Sequence, residues 1–276
     1  MKIHKIKEPK ISVLIANYNN SLFLKRCINS VLRQNYKKKE IIVVDDKSSD
    51  DSLNILKKYK NQITILKKKK KFNVGSYDQM SAYKIAIKKS SGQIIFFLDS
   101  DDFFFYKKLK IMVNYFKKNI NNNIFMDRAI FFYQNKKKFK LAKRSKSNFL
   151  FSWPKFSQQS CICIRRNYLL KIYDIISIKK FPSVWLDFRI SVYNYVENKD
   201  ASIVNEFLTF YQQSDNSASS NYKFFSINWW IRRKEAYDYF NYINKKLNNK
   251  KYFSLDFFIT RLFNFIFIKR KLTISK

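Results

Sequence analysis

The residues best able to do chemistry in this chain are its aspartates, and they are not scattered. Asp45, Asp46, Asp50 and Asp51 form one cluster, and Asp99, Asp101 and Asp102 form another. Seven of the fifteen aspartates therefore occupy two short stretches. The background is strongly basic, with 56 Lys+Arg against 20 Asp+Glu and a formal charge of +36, so composition does not produce the clusters. Carboxylates at such spacing suit a hard divalent cation, Mg2+ or Mn2+, which prefers oxygen ligands. A cation held there would neutralise the charge on a diphosphate. Asp99-Ser100-Asp101 is a D-x-D arrangement of this type, directly after an apolar run. Capping of a following helix by Asp101 or Asp102 is the competing role for the same residues.

The elements that must position these carboxylates can be read from periodicity. Lys10–Ala16 predicts a strand, and Ser21 a helix cap, with Leu22, Cys27, Ile28, Val31 and Leu32 on one side of the helix. Glu40–Val44 is a continuous apolar strand of the kind buried on both faces. Ser49 or Asp50 starts a second helix with Leu53 and Leu56 inward, and Ile63–Leu66 is a third strand. A helix runs from Gly75 to about Ser90, ended by Gly92, and Gln93–Leu98 is a fourth strand. This β-α-β-α-β-α-β order indicates a parallel sheet with helices on both faces. Both acidic clusters then follow strand carboxyl ends, where open parallel sheets bind ligands. Beyond residue 107 the pattern predicts a helix through Leu109, Met112, Val113 and Phe116. Strands at Ile124–Tyr133 and Phe139–Ala142 pair around a lysine-rich turn at 136–138. A strand is expected at Ser160–Arg165, a helix at Asp187–Tyr195, a strand at Ser202–Tyr211 and a helix at Ile227–Leu247.

Other chemistries are excluded by what is scarce. With two glycines there is neither a P-loop nor a dinucleotide fingerprint. Cys27, Cys161 and Cys163 form no disulfide framework or zinc pattern. Cys161 and Cys163 read as small buried side chains on one strand face, in a reduced compartment. The first ten residues lack the apolar core of a signal peptide, and no run of about 18 apolar residues predicts a membrane span. The charge invites an anionic partner. However, Lys, Asn, Ile, Phe and Tyr are all abundant while Gly and Pro are rare, and AT-biased coding alone yields that composition.

The stretch ISVLIANYNNSLFLKRCINSVLRQNYKKKEIIVVDDKSSDDS, followed by IIFFLDSDD, resembles glycosyltransferase family 2, with its GT-A fold. Three motifs occur in the family's order: strand-A-N-Y-N, strand-D-D-x-S and strand-D-S-D-D. A weaker likeness continues through SCICIRRNYLL, VWLDFRISV and FYQQSDNSAS. The resemblance implies an inverting transfer from a nucleotide-diphosphate sugar to an acceptor hydroxyl, assisted by Mn2+ or Mg2+. It implies a nucleotide-sugar pocket lined by Ala16, Asn17 and Tyr18, with Asp46 accepting from the uracil N–H and Asp45 beside it. Asp99 and Ser100 would face the ribose or diphosphate, Asp101 would hold the metal, and Asp187 would be the catalytic base, with helix capping as its alternative role. The family places an Arg or Lys against the diphosphate after the third strand. Met80 stands there instead, and Lys84 or one of Lys67–Lys71 is the candidate replacement, although a lysine run reads first as a solvated loop.

The expected organisation is an α/β GT-A domain with a helical, aromatic and basic C-terminal extension. Residues 1–110 form a nucleotide-sugar-binding half, 111–220 an acceptor-binding half and 221–276 the extension. Phe253–Ile274 mixes aromatics with Arg and Lys, which suits either an interfacial helix on an anionic membrane or a helix packed on the catalytic domain. The resemblance implies a glycan or lipid-linked glycan as acceptor, in cell-surface polysaccharide biosynthesis, with the protein cytoplasmic or peripheral on the inner membrane face. The competing classes are an inactive nucleotide-binding relative and a polyanion or nucleic-acid binder. The second leaves the carboxylates at the strand ends unexplained, because they repel phosphate unless a metal intervenes.

Overall fold

The computed structural model describes residues 8–133, 138–142, 156–213 and 222–274. Strands β1 (Ile11–Asn17), β2 (Lys39–Asp45), β3 (Thr64–Lys67) and β4 (Ile94–Asp99) are mutually parallel in the order β3-β2-β1-β4. Helices α1 (Ser21–Leu32), α2 (Ser52–Lys57) and α3 (Gly75–Lys89) connect them. The second half adds β5 (Phe103–Phe104), α4 (Lys108–Lys118), β6 (Ile124–Tyr133) and β7 (Lys138–Leu141). A 3-10 turn (Gln159–Cys161), β8 (Ile162–Arg165), α5 (Arg166–Ile176), α6 (Leu186–Asn198) and β9 (Ile203–Gln213) follow, then α7 (Ile227–Lys246) and α8 (Leu255–Ile274). The sheet continues past β4 as β8-β6-β9-β5. β8 is antiparallel to both neighbours and β7 forms a hairpin with β6. This is the mostly parallel, helix-flanked α/β architecture that the sequence predicts.

Side chains alternate across the pleat and build two cores. Leu14, Ile42, Val44, Ile95 and Phe97 face α3, α5, α6 and α7. Val13, Ile15, Ile41, Val43, Phe96 and Leu98 face α1, α2 and α4. β2 and β4 read as near-continuous apolar runs because both of their faces are covered, while β3, at the sheet edge, is only partly buried.

Several local expectations change. Leu22 points outward, 76% exposed, and Leu24 takes the inward place. Ser21 is the first helical residue rather than a cap. The Asp50 carboxylate accepts from its N–H (2.8 Å) and also from the Ser52 N–H (3.0 Å), so one side chain serves two helix starts. Gly92 does not end α3, which leaves Ser90 in extended backbone. Instead a Cβ at Gly92 would lie 2.5 Å from the Ile11 and Ser12 backbone, too close for any side chain. The strand expected from Ser160 begins at Ile162, so Cys161 sits in the 3-10 turn and only Cys163 in the strand; both thiols are buried and free. The lysine-rich turn at 136–137 lies outside the described residues.

Candidate active site

β1 and β2 end side by side, with Asn17 in register with Asp45. Asn17 Nδ2 donates to Asp45 Oδ1 (2.9 Å) and to Ser48 Oγ (3.1 Å), and Ser48 N–H donates to Asp45 Oδ2 (3.0 Å). Asn19, in left-handed backbone at φ 48, accepts from Ser49 N–H. These bonds fasten the two loops together. Asp45 is thereby spent on holding the loops, and it does not line the cavity beside them, whereas Ala16, Asn17, Tyr18 and Asp46 do.

Asp46 pairs with the buried Lys68 ammonium at 2.6 Å, and Lys68 also reaches Asp78 at 2.5 Å. Burial pushes the Asp46 carboxyl up, against the pull of Lys68. The lysine run is therefore not uniformly solvated. Lys68 is an internal counter-charge, and Lys71 donates to the Tyr18 hydroxyl (2.6 Å) with its ammonium 3.8 Å from that ring. Lys71 lines the cavity; Lys84 instead pairs with Asp174 on the outside. Met80 is buried and offers no charge.

The second cluster follows β4. Asp99 Oδ1 accepts from Tyr83 Oη (2.9 Å) and Gln79 Nε2 (3.1 Å), both from α3. Burial, with the neighbouring Asp101 charge, pushes its carboxyl up to about 7. Ser100 Oγ accepts from Asn20 Nδ2 (2.8 Å). Asp101 faces the cavity, burial raises it, and among the described residues no cation is ion-paired with its carboxylate. Arg26 binds the Asp101 carbonyl (2.9 Å) and Gln212 Oε1 (2.7 Å). Asp102 is a strut: it accepts from Ser160 Oγ (2.5 Å) and from the Gln212 N–H (2.8 Å). Ser160 also accepts from the Asp99 N–H (2.9 Å) and its carbonyl from buried Lys108 (2.7 Å), which fixes β4 against the second half of the sheet.

Asp187 enters from the opposite side, in the first turn of α6. The cap position is Trp185, not Asp187, and the Asp187 carboxylate accepts the Phe188 N–H at 2.7 Å. Burial raises it, while the Phe188 N–H and Arg232 pull it down. Asp46, Asp99, Ser100, Asp101 and Asp187 all line one cavity of about 770 Å3, with Trp185 and Tyr211 as aromatic walls.

Sequence reasoning missed Gln79 and Tyr83, two polar groups one turn apart on the inward side of α3. It also missed Gln159, which reaches the cavity from the 3-10 turn, while the Trp229-Trp230-Ile231-Arg232 segment, readable from sequence either as acceptor site or as membrane-facing surface, sends Arg232 into the cavity from α7. Arg232 stood beside two tryptophans in a segment without a motif, and only the fold brings it to Asp187.

Among the described residues no group of three or more His, Cys, Asp or Glu could hold a metal alone. The donor set still fits a divalent cation. Asp99 and Asp101 are both pushed up by burial, and the Asp101 charge raises Asp99 further, so the site is short of positive charge. Mg2+-type ions take one or two carboxylates and complete their shell with phosphate oxygens and water.

The profile of glycosyl transferase family 2 matches residues 12–173. The poly(ribitol-phosphate) beta-N-acetylglucosaminyltransferase TarP of Staphylococcus aureus is 32% identical over 114 residues, 40% of this chain and 34% of that protein. A poly(ribitol-phosphate) beta-glucosyltransferase of Bacillus spizizenii is 38% identical over 116 residues, 40% of this chain and 18% of that protein. The matched stretch thus spans about a third of TarP and less than a fifth of the B. spizizenii enzyme. Among solved structures, S. aureus TarS 1-349 with UDP-GlcNAc superposes with a TM-score of 0.61 at 18% identity, covering 88% of this chain and 68% of that one. The mannosyltransferase PcManGT of Pyrobaculum calidifontis, with GDP-Man and Mn2+, superposes at 0.52 and 14% identity, covering 89% and 66%.

Proposed function

Because the chain belongs to glycosyltransferase family 2 and has the GT-A fold, we propose that it transfers a sugar from a nucleoside-diphosphate donor, UDP by default, to a hydroxyl of a glycan or lipid-linked glycan. The observation that carries this reading is the convergence of Asp101, after β4, and Asp187, in the first turn of α6, on one cavity. We assign residues 1–110 to the donor and 111–220 to the acceptor, with 221–276 as an extension.

In this reading Asp46, Asn17 and Tyr18 bind the base, and Asp99 and Ser100 face the ribose and diphosphate. Asp101 holds Mn2+ or Mg2+, which supplies positive charge to the leaving diphosphate. Lys71 and Arg232 add positive charge at the cavity where Met80 offers none. Asp187 takes the proton of the acceptor hydroxyl as its oxygen attacks the anomeric carbon. The new C–O bond forms on the face opposite the breaking bond to the diphosphate, which inverts the anomeric configuration. No covalent enzyme intermediate is required. Three buried, free thiols suit a reducing cytoplasm, and surface-polysaccharide assembly is the setting we propose.

The test is calorimetric titration of UDP, GDP, dTDP and CDP, with and without Mn2+, into the wild type and Asp101→Ala. One nucleotide should bind in a way that needs both the metal and Asp101. Equal, weak and salt-sensitive heats from all four, indifferent to metal and variant, would leave only a polycation attracting phosphate and would sink the reading.

A further inference from the structure

α8 is amphipathic in the inverted sense. Its protein-facing side is largely polar, with Phe257 as its buried aromatic, against Tyr237. Asp256 pairs with Arg233 and accepts from Tyr237 Oη (2.5 Å), Thr260 accepts from Arg233 Nε (3.1 Å), and Asn264 donates to the Trp230 carbonyl (2.9 Å). All three side chains are buried. The outward side is apolar. Leu255, Phe258 and Leu262 are 50%, 58% and 58% exposed, and Phe265 and Ile266 continue the line. At 3.6 residues per turn these five positions fall in a stripe about 100° wide. A helix docked on a soluble domain normally buries that stripe and wets its polar face. Here hydrogen bonds, an ion pair and two aromatic contacts, Phe257 on Tyr237 and Phe263 on Trp230, dock the helix while five large apolar side chains face out. Phe224, Phe225 and Ile231, next to the Trp230–Phe263 stack, are exposed as well.

We infer that this face lies in the headgroup layer of an anionic membrane. The charge around it selects that occupant. From Lys245 to the last residue there are nine Lys and Arg and one acid, Asp256, and that acid is buried in its pair with Arg233. Lys245, Lys246, Lys250 and Lys251 are exposed just before α8, and Lys269, Arg270 and Lys271 follow the stripe in sequence. An apolar stripe flanked by cations is the arrangement of an interfacial helix, which gains from apolar burial and from anionic headgroups together. A second copy meets the same charge, +36 against +36. No helix among the described residues is long and apolar enough to cross a membrane, so the contact is with the surface. Arg232 of α7 lines the cavity, and α7 is the helix on which α8 docks.

Flotation with vesicles of phosphatidylcholine alone, and of phosphatidylcholine mixed with phosphatidylglycerol, tests the inference. The full chain should float with the anionic vesicles. Phe258→Gln/Leu262→Gln keeps the charge but removes two of the five apolar side chains from the stripe, and should lower that partition at least about tenfold. Leu255→Gln/Ile266→Gln is an independent pair should the first not fold. UDP binding and far-UV circular dichroism serve as folding controls, and vesicle binding is scored whether or not transferase activity is found. Variants that float as well as the wild type would mean charge alone holds the chain, and would overturn the assignment. So would a wild type that ignores both vesicles, or one that dimerises through the stripe.

Discussion

Burial sets the working state of Asp187. Its carboxyl is pushed up by desolvation and pulled down by the Phe188 N–H and by Arg232. A base works only when ionised, so transfer should rise with pH along a limb above the ordinary carboxylate range, visible in a kcat/KM profile. Arg232→Gln removes one of the charges that favours ionisation and should move that limb to higher pH. Asp187→Asn should lower turnover about 10²- to 10⁴-fold while UDP still binds by calorimetry; a variant that keeps wild-type turnover would remove Asp187 from the chemistry. Stability follows the opposite sense. A folded-state pKa above the unfolded one favours the protonated fold, so this group's contribution is present below the unfolded value and fades as pH rises through the folded one. At this scale the sequence was legible wherever a carboxylate follows an apolar strand. Adjacent aspartates could not be told apart by spacing. Asp46 and Asp101 face the cavity, while Asp45, Asp50 and Asp102 are spent on backbone N–H groups and loop side chains. Which neighbour does which depends on loop geometry that no local pattern encodes.

Between elements, two polar clusters join parts that apolar packing alone would leave free to slide. Glu40 on β2 accepts from Ser12 on β1 and from Ser91 and Gly92 N–H groups ahead of β4, and pairs with Lys10. Burial pushes its carboxyl up, but these partners outweigh burial and bring it down to about 2. Its contribution is therefore present above the unfolded carboxylate range and lost as pH falls toward 2. Glu40→Gln should cost about 1–2 kcal/mol in urea denaturation at neutral pH, and the difference from wild type should shrink in acid. Lys108 matters more. Its ammonium is fully buried and bonds Asp127, the Ser160 carbonyl and Thr209. Lys108→Met leaves Asp127 without its charge partner, and such losses run to about 3–5 kcal/mol. The element order was readable because each strand is a short apolar run and each helix has a clear period. The Lys108 cluster was not, since a lysine among 56 basic residues carries no sign of being the buried one.

For the molecule as a whole, the excess of charge should govern encounters more than fit. Association with nucleotide should weaken as salt screens the long-range attraction, while the dependence on Asp101 and metal should persist at high salt. Net charge was legible from composition; its distribution was not, because the cavity gathers five aspartates in a polycation. One contact between the two halves that enclose them lies at the cavity wall. Gly75 opens α3 in the first half, and a Cβ there would meet the Trp185 ring of the second half at 3.0 and 3.3 Å. Trp185 stands two residues before Asp187. A methyl group at Gly75 would thus act as a shim, levering the base away from the donor bed by a few tenths of an ångström. The gap it opens would admit solvent more readily than it would impair UDP, so Gly75→Ala is expected to shift the ratio of products from glycoside toward free sugar. One carbon atom at the cavity wall would then set how faithfully the donor is delivered.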